Sequence, residues 1–356
     1  MMKILAIDIG TGTQDIIYYD SEKEIENSIK LVLPSPHLLI AQKIQRTNND
    51  IYFEGEIMGG GKLKNRIIEH MDKGYKVVME ELCGKTIRDN LKQVESYGIE
   101  IAYKGNTNDY SNYTKIRLQD IDIDKLSGFI REYDLDYDFD YIAVAVQDHG
   151  FNENMGDRDF RFEKIKEKLT KPLHAEEFGF IGNVPEYYSR MKSIENTLKN
   201  KTTLEIKNTP LIMDAKFASI CGMCYDKVVE NLNSYIVIDI GNGHTTAASI
   251  EDGKIQGVFE HHTSNLTKES LEKYIKKLAD GTLTNEEIYN DHGHGAYIIN
   301  PIEKIEKVIV AGPRREIIEK TDLDYHHATP GGDVMMTGTV GLIKALEYNI
   351  DNKNKL

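Results

Sequence analysis

Two aspartates, far apart along the chain, stand in matching company. Asp8 closes the apolar run Lys3-Ile-Leu-Ala-Ile-Asp8, and Ile9-Gly10-Thr11-Gly12-Thr13 follows before a second apolar run, Ile16 to Tyr19. Asp239 closes Tyr235-Ile-Val-Ile-Asp239, followed by Ile240-Gly241-Asn242-Gly243-His244-Thr245 and a returning run to Ile250. Glycine adopts positive φ without steric cost, so each Gly-x-Gly between β-rich runs reads as a tight hairpin with a carboxylate at its entrance. A dinucleotide fingerprint begins the same way, but it needs a third glycine at the sixth position and a helix directly afterwards. Asp15 holds that position, with β-branched and aromatic residues after it. The two aspartates lie 231 positions apart. That is far beyond any solenoid period, so the repeat marks a duplicated domain core whose two corners face one ligand.

Other groups have types suited to chemistry. Gln147-Asp148-His149-Gly150 follows Tyr141-Ile-Ala-Val-Ala-Val146, a strand of small and branched residues. Open α/β sheets present their ligand-facing groups at such carboxyl ends. Asp291-His292-Gly293-His294, together with His261 or His262, offers ligands for a metal ion, donors for an anionic substrate, or satisfied surface groups. Cys221-Gly-Met-Cys224 has redox spacing but lies in an apolar, helix-like run, which suits buried thiols. Gly59-Gly60-Gly61-Lys62-Leu63 looks like a phosphate loop at first sight. Glu56 stands at its first glycine and Leu63 where Ser or Thr should hold magnesium, which leaves a helix start able to hold an anion or a plain turn.

The elements that position these groups follow from periodicity. Each Asp-Ile-Gly hairpin continues into a third strand, Ser28–Leu33 in the first copy and Lys254–Phe259 in the second. Residues 51–104 alternate strand and helix, which implies an inserted parallel α/β unit with one helix over 86–97. Residues 105–140 read as polar and acidic, with a helix ending near Glu132 and a solvated loop over 133–141. Helices are expected over 162–169, 187–198, 215–222, 270–278 and 334–346, and a buried strand over 307–311 opens into Gly312-Pro313-Arg314-Arg315. The fold class is therefore α/β, with a first domain over 1–225 that carries the insert and a second over 226–356.

The 356 residues suffice for two domains with their own cores, and 40% hydrophobic with 29% charged residues is ordinary for a globular protein. A net charge of −14 argues against electrostatic binding to nucleic acid or an anionic membrane. No apolar run is long enough to span a bilayer, and three cysteines make no disulfide framework. A start of Met1-Met2-Lys3 running straight into a strand shows no cleavage pattern, so a cytoplasmic protein is expected.

Taken in order, these motifs resemble those of the actin, sugar kinase and heat-shock chaperone ATPase superfamily. Its two phosphate hairpins resemble Asp8 to Asp15 and Asp239 to Thr246, its connecting helix Met213 to Gly222, its adenosine motif Val308 to Arg314, and its last helix Gly331 to Gly341. Within it, Met58-Gly-Gly-Gly61, Gln147-Asp-His-Gly150, Asp291-His-Gly-His-Gly295 and Gly312-Pro-Arg-Arg315 resemble the family labelled "putative pyruvate formate-lyase activating enzyme". No three cysteines have the Cys-x-x-x-Cys-x-x-Cys spacing of radical activating enzymes, so no such activity is expected. The resemblance implies duplicated actin-like (ribonuclease H-like) domains around a nucleotide cleft. It implies ATP held by Gly10, Thr11, Gly12 and Thr13 and by Gly241, Asn242, Gly243, His244 and Thr245. Gly312, Pro313 and Arg314 would lie along adenosine, and Asp8 and Asp239 would hold Mg2+ largely through water. Asp148 would act as base and Gln147 would orient the nucleophile, while His149, His261, Asp291, His292 and His294 would serve a substrate or a second metal. The expected activity is an ATP-dependent phosphotransferase or ATPase acting on a small molecule. The alternative is an activating ATPase that drives a partner protein, with Cys221 and Cys224 sharing a cluster across a homodimer.

Overall fold

The computed structural model describes residues 2–133, 139–200 and 207–353. Most of the loop expected over 133–141 lies outside them. The first apolar runs form β1 (Lys3–Ile9), β2 (Thr13–Asp20) and β3 (Ile29–Pro34), an antiparallel meander. Helix α1 (Pro36–Arg46) follows, with proline in its first turn where no backbone donor is needed.

The insert contains β4 (Ile51–Gly55), α2 (Leu63–Met71), β5 (Val77–Glu80), α3 (Glu81–Lys85), α4 (Leu91–Glu95), β6 (Glu100–Ala102) and β7 (Thr114–Leu118). Its four strands are all parallel, in the order β6-β5-β4-β7. It therefore extends past residue 104. Strand β7 buries Ile116 and Leu118 while Lys115 and Arg117 face solvent, and those basic residues gave the segment its polar look. The helix expected over 86–97 is only α4, because the Asn90 side chain accepts from the amides of Lys92 and Gln93 and starts it there, while α3 lies before that span.

The first half closes with α5 (Ile123–Glu132), β8 (Tyr141–Val146), α6 (Asp157–Lys168), β9 (Phe180–Ile181), α7 (Ser189–Asn200), β10 (Leu211–Asp214) and α8 (Ala215–Met223). The second half adds β11 (Ser234–Ile240), β12 (His244–Glu251), β13 (Lys254–His262), α9 (Lys268–Ala279), α10 (Asn285–Asn290), β14 (Gly295–Ile298), β15 (Val308–Ala311), β16 (Tyr325–His327) and α11 (Thr337–Lys353). The two large sheets run β3-β2-β1-β8-β10-β9 and β14-β13-β12-β11-β15-β16. Five strands of each, β3-β2-β1-β8-β10 and β13-β12-β11-β15-β16, match in order and direction. Register matches as well. Asp8 lies between Asp15 and Ala145, and Asp239 between Thr246 and Ala311. This is the duplicated α/β architecture, with an inserted α/β subdomain, expected from the paired corners.

Helix α11 comes last in the chain yet packs on α8 and on β1 of the first sheet. The crossing is backbone to backbone. A Cβ on Gly222 would lie 1.9 Å from the Thr337 carbonyl oxygen, and one on Gly341 would lie 1.9 Å from that of Ala218. Around this crossing one continuous core joins Ile4, Ala143 and Met213 to Val237, Ile309 and Leu346. The two sheets are thus held in fixed relation through α8 and α11. No helix among the described residues is long and apolar enough to cross a membrane.

Candidate active site

Strands β1, β8, β10, β11 and β15 all end, at their carboxyl sides, on one cleft of about 330 Å³. Gly10, Thr11, Gly12 and Thr13 line it from one corner, and Gly241, Asn242, Gly243 and His244 from the other. The turns are close neighbours, since a Cβ on Gly12 would come within 3.1 Å of Asn242 Nδ2. Gly312 (φ +96°) and Pro313 also line it, and a Cβ on Gly312 would sit 2.3 Å from the Ile240 carbonyl oxygen. Only glycine can make that turn there.

Carboxylates crowd the cleft floor. Asp8, Asp15 and Asp239 all line it. Asp8 Oδ1 is buried without a hydrogen-bond partner among the described residues. Burial, and then the Asp15 and Asp239 carboxylates, push Asp8 well above its ordinary pKa. Burial pushes Asp15 up to about 6, against the lowering effect of the Thr13 hydroxyl, whose Oγ1 lies 3.3 Å from Asp15 Oδ2. Lys216 answers part of this charge, donating to Asp239 Oδ2 at 2.7 Å and to the His244 carbonyl at 2.9 Å. It stands in the first turn of α8, where Asp214 caps the helix by accepting from the Lys216 amide at 3.0 Å. Sequence reasoning passed over Lys216 because it sits in an otherwise apolar helix, although its place beside Asp214 was a capping signal. Asp8 and Asp239 are the carboxylates of the two corners that would hold a hydrated Mg2+, which takes oxygen ligands and keeps several waters.

The opposite wall is built by Gln147, His149, Arg190, His37 and Gly59–Gly61. Arg190 grips Asp120 with two bonds, Nε to Oδ2 at 2.7 Å and Nη2 to Oδ1 at 2.9 Å, and donates through Nη1 to the Gln147 carbonyl at 3.0 Å. Asp120 also accepts from the Gly59 amide at 3.1 Å, so the insert is tied to the cleft through one ion pair. Asp148 is not among the lining residues. Its Oδ2 accepts from the amides of Arg190 (3.0 Å) and Met191 (3.1 Å) at the start of α7, and its Oδ1 accepts from Gly150 (2.9 Å). That geometry corrects its expected position: the carboxylate caps a helix rather than facing the cleft, and Gln147 and His149 face it instead.

The histidines divide into two groups. His149, His244 and His294 bring one ring nitrogen each within 4.8 Å of the others. Burial lowers His244 to about 3 and His294 to about 2, against the pull of Glu260, so both rings are neutral at physiological pH. The second group is separate. His261 Nε2 lies 3.2 Å from Asp291 Oδ2, which also accepts from the Tyr274 hydroxyl at 2.7 Å. Along β13, Glu260 and His262 share one face and His261 takes the other. His292 is exposed in a left-handed turn (φ 65°). The expected joint set of His149, His261, Asp291, His292 and His294 is thus corrected to His149 and His294 with His244.

Beneath that group runs a buried ionic network that sequence reasoning missed. Arg161 donates to Glu260 Oε2 through Nη2 (2.7 Å) and Nε (3.0 Å), and to Asp214 Oδ2 through Nη1 (3.0 Å). Burial, the largest single effect, would raise the Glu260 pKa, but the Arg161 guanidinium together with the His149 and His294 rings outweighs it and holds the carboxyl well below its ordinary range.

Two further expectations need correction. The Thr245 side chain is fully buried, with its hydroxyl 3.0 Å from that of Thr263, and does not reach the cleft. Arg314 is exposed outside it, while Arg315 lines it and donates to the Gly312 carbonyl at 3.0 Å. The sharp backbone turn at Gly312 sets which arginine points inward. Cys221 is fully buried, with its Sγ 3.3 Å from the Gly341 carbonyl oxygen. Burial pushes its thiol far up and that of Cys224 up to about 12.

With this geometry in hand, comparison places the chain. Residues 58–317, most of its length, match the model of the family described as "Putative pyruvate format-lyase activating enzyme (DUF1786)". The chain belongs to this family. Among solved structures, this family member is similar to the inorganic polyphosphate/ATP-glucomannokinase of Arthrobacter sp. strain KM, at 12% identity over 99% of this chain and 100% of that one, with a TM-score of 0.39. It is also similar to a Listeria monocytogenes protein described as a "putative N-acetylmannosamine kinase", at 10% identity over 98% and 99%, TM-score 0.37. The ethanolamine utilization protein EutJ from Carboxydothermus hydrogenoformans follows at 11% identity over 96% and 88%, TM-score 0.28. No curated protein matches the sequence.

Proposed function

We propose that this chain binds Mg2+–ATP across the two hairpin corners and transfers the terminal phosphoryl group to a small molecule, or to water. The observation that carries the reading is the pair of matched corners, Asp8-Ile-Gly-x-Gly and Asp239-Ile-Gly-x-Gly, turned toward one cavity with an unpartnered, strongly destabilised carboxylate at its floor. Glycine turns let backbone N–H groups approach a polyphosphate, and a divalent cation offsets the carboxylates that would otherwise repel it. The nucleoside lies along Gly312 and Pro313, with Arg315 in place of Arg314 beside it. The acceptor sits against Gln147, His149 and Arg190, where Gln147 orients the attacking oxygen. Phosphoryl transfer asks chiefly for such positioning and charge balance.

Calorimetric titration with ATP, with and without Mg2+, tests the binding step, and phosphate release against pooled metabolites tests the reaction. Asp8→Ala and Asp239→Ala should each abolish the Mg2+ dependence of binding. If both variants bind and turn over as the parent does, the assignment fails. Turnover that stays at the hydrolytic rate across all acceptors identifies an ATPase.

A further inference from the structure

We propose that His149, His244, His294 and Glu260 bind one divalent transition-metal ion of the zinc class, in a site that closes across the two halves of the cleft. His149 comes from the end of β8 in the first half, whereas His244 opens β12, Glu260 lies on β13 and His294 precedes β14 in the second. Glu260 approaches two of the three rings. Glu260 Oε1 lies 3.7 Å from His149 Nε2 and 3.8 Å from His294 Nδ1. These separations are too long for hydrogen bonds. Ligands bound at about 2.05 Å in a tetrahedron stand roughly 3.3 Å apart, while ligands around a bridging water at about 2.8 Å would stand roughly 4.6 Å apart. The two measured edges lie nearer the metal value. No pair of the three ring nitrogens is wider than 4.8 Å. Closing the widest of these three edges needs at most about 1.5 Å, and Glu260, which stands outside the triad, joins it through His149 and His294.

Two observations point independently to a missing ligand. Glu260 Oε1 and His294 Nδ1 are both buried and both without a hydrogen-bond partner among the described residues. Their side chains are only 1% and 4% exposed, so solvent does not satisfy them. The charge balance agrees. Arg161 is shared between the buried carboxylates of Asp214 and Glu260, which leaves one negative charge unmatched beside the three imidazoles. Arg161 and the Thr246 hydroxyl (3.1 Å) hold Glu260 Oε2 and leave Oε1 turned toward the histidines, the support that metal-binding carboxylates ordinarily have. Three nitrogens and one oxygen form a borderline donor set, suited to Zn2+ and its neighbours and poorly suited to Mg2+. The site is therefore distinct in chemistry from Asp8 and Asp239, and it stands whether or not the chain binds ATP.

The test uses the full chain, stripped of metal, in excess Mg2+ and without nucleotide. Calorimetric titration should give one Zn2+ per chain, and Co2+ should give the visible absorption of a four-coordinate ion, which Zn2+ then removes. His149→Ala, at the accessible ligand, and Glu260→Gln should each weaken Zn2+ binding by at least about tenfold. His292→Asn, in the same Asp-His-Gly-His stretch but outside the cluster, should leave it unchanged. Circular dichroism confirms that each variant is folded. Binding far below one equivalent, or equal affinity in folded His149→Ala, overturns the proposal. So does displacement of Zn2+ by Mg2+, which would indicate a carboxylate site. Failure to bind ATP would refute the proposed function and leave this result standing.

Discussion

Replacing Asp15 by asparagine should stabilise the protein, and only above a definite pH. In the folded chain Asp15 is buried beside β1 and titrates near 6, against an ordinary value of 3.8. The folded state therefore keeps its proton where the unfolded chain has lost it. Between pH 3.8 and 6 the native state binds more protons, so stability falls as pH rises through that window, and the full cost is present above it. About two pH units at 1.36 kcal/mol each set that cost near 3 kcal/mol, a ceiling because the side chain can relax toward solvent. The asparagine side chain keeps the shape and never ionises. Removing the charge also relieves Asp8, which Asp15 helps to push up, so both effects carry the same sign. Urea unfolding of parent and variant at fixed ionic strength, from pH 4 to 7.5, reads the difference directly. The two should coincide near pH 4 and diverge by about 1–3 kcal/mol by pH 7. Added Mg2+ should narrow the gap by stabilising the parent more. A gap that does not grow with pH, or a variant less stable at pH 7.5, refutes the account of the cleft as a store of unbalanced negative charge.

The other predictions concern the scaffold. Gly222→Ala would drive a methyl into the Thr337 carbonyl, now 1.9 Å from that position, so α8 and α11 must part. A loss of about 3 kcal/mol or more in denaturant unfolding is expected. Asp148→Asn keeps one oxygen to accept at the start of α7 but loses the other acceptor, so it should cost at most about 1 kcal/mol while holding turnover within about tenfold, whereas a base would lose a hundredfold or more. Steady-state kinetics of that variant decide between the two roles. Arg161→Met strands Asp214 and Glu260 without their shared cation and should cost about 3–5 kcal/mol in thermal or denaturant unfolding, partly recovered by adding Glu260→Gln.

The corners were legible because their chemistry is local. An aspartate before Gly-x-Gly, flanked by β-rich runs, encodes its own hairpin, and finding it twice encodes the duplication. The partners of those aspartates were not legible, because they arrive from elsewhere in the chain. Lys216 reaches Asp239 from a helix that reads as apolar, and Arg190 reaches Asp120 across seventy residues of intervening fold. The error at Asp148 was one of direction. Its place after β8 is as expected, but the three amides around it turn the carboxylate away from the cavity and leave its two neighbours facing inward. The histidine set failed through strand length. Ending β13 at Phe259 hid the alternation that carries Glu260 and His262 to one side and His261 to the other. The slip from Arg315 to Arg314 came from a turn at Gly312, whose positive φ no count of residues reveals.

His244 joins the two ends of the cleft. Its carbonyl accepts from Lys216, which is paired with Asp239 at the corner, and its ring stands with His149 and His294 at the other end. If Asp8 and Asp239 hold a cation as proposed, it would compete with Lys216 for the Asp239 carboxylate, and the second bond of Lys216 is to the His244 backbone. Calorimetric titration of the chain with Zn2+ should then give an affinity that changes when Mg2+–ATP is present, and an unchanged affinity would refute a link through Lys216. The flanking strands pair β12 on both sides, so any such link would run through the turn at His244.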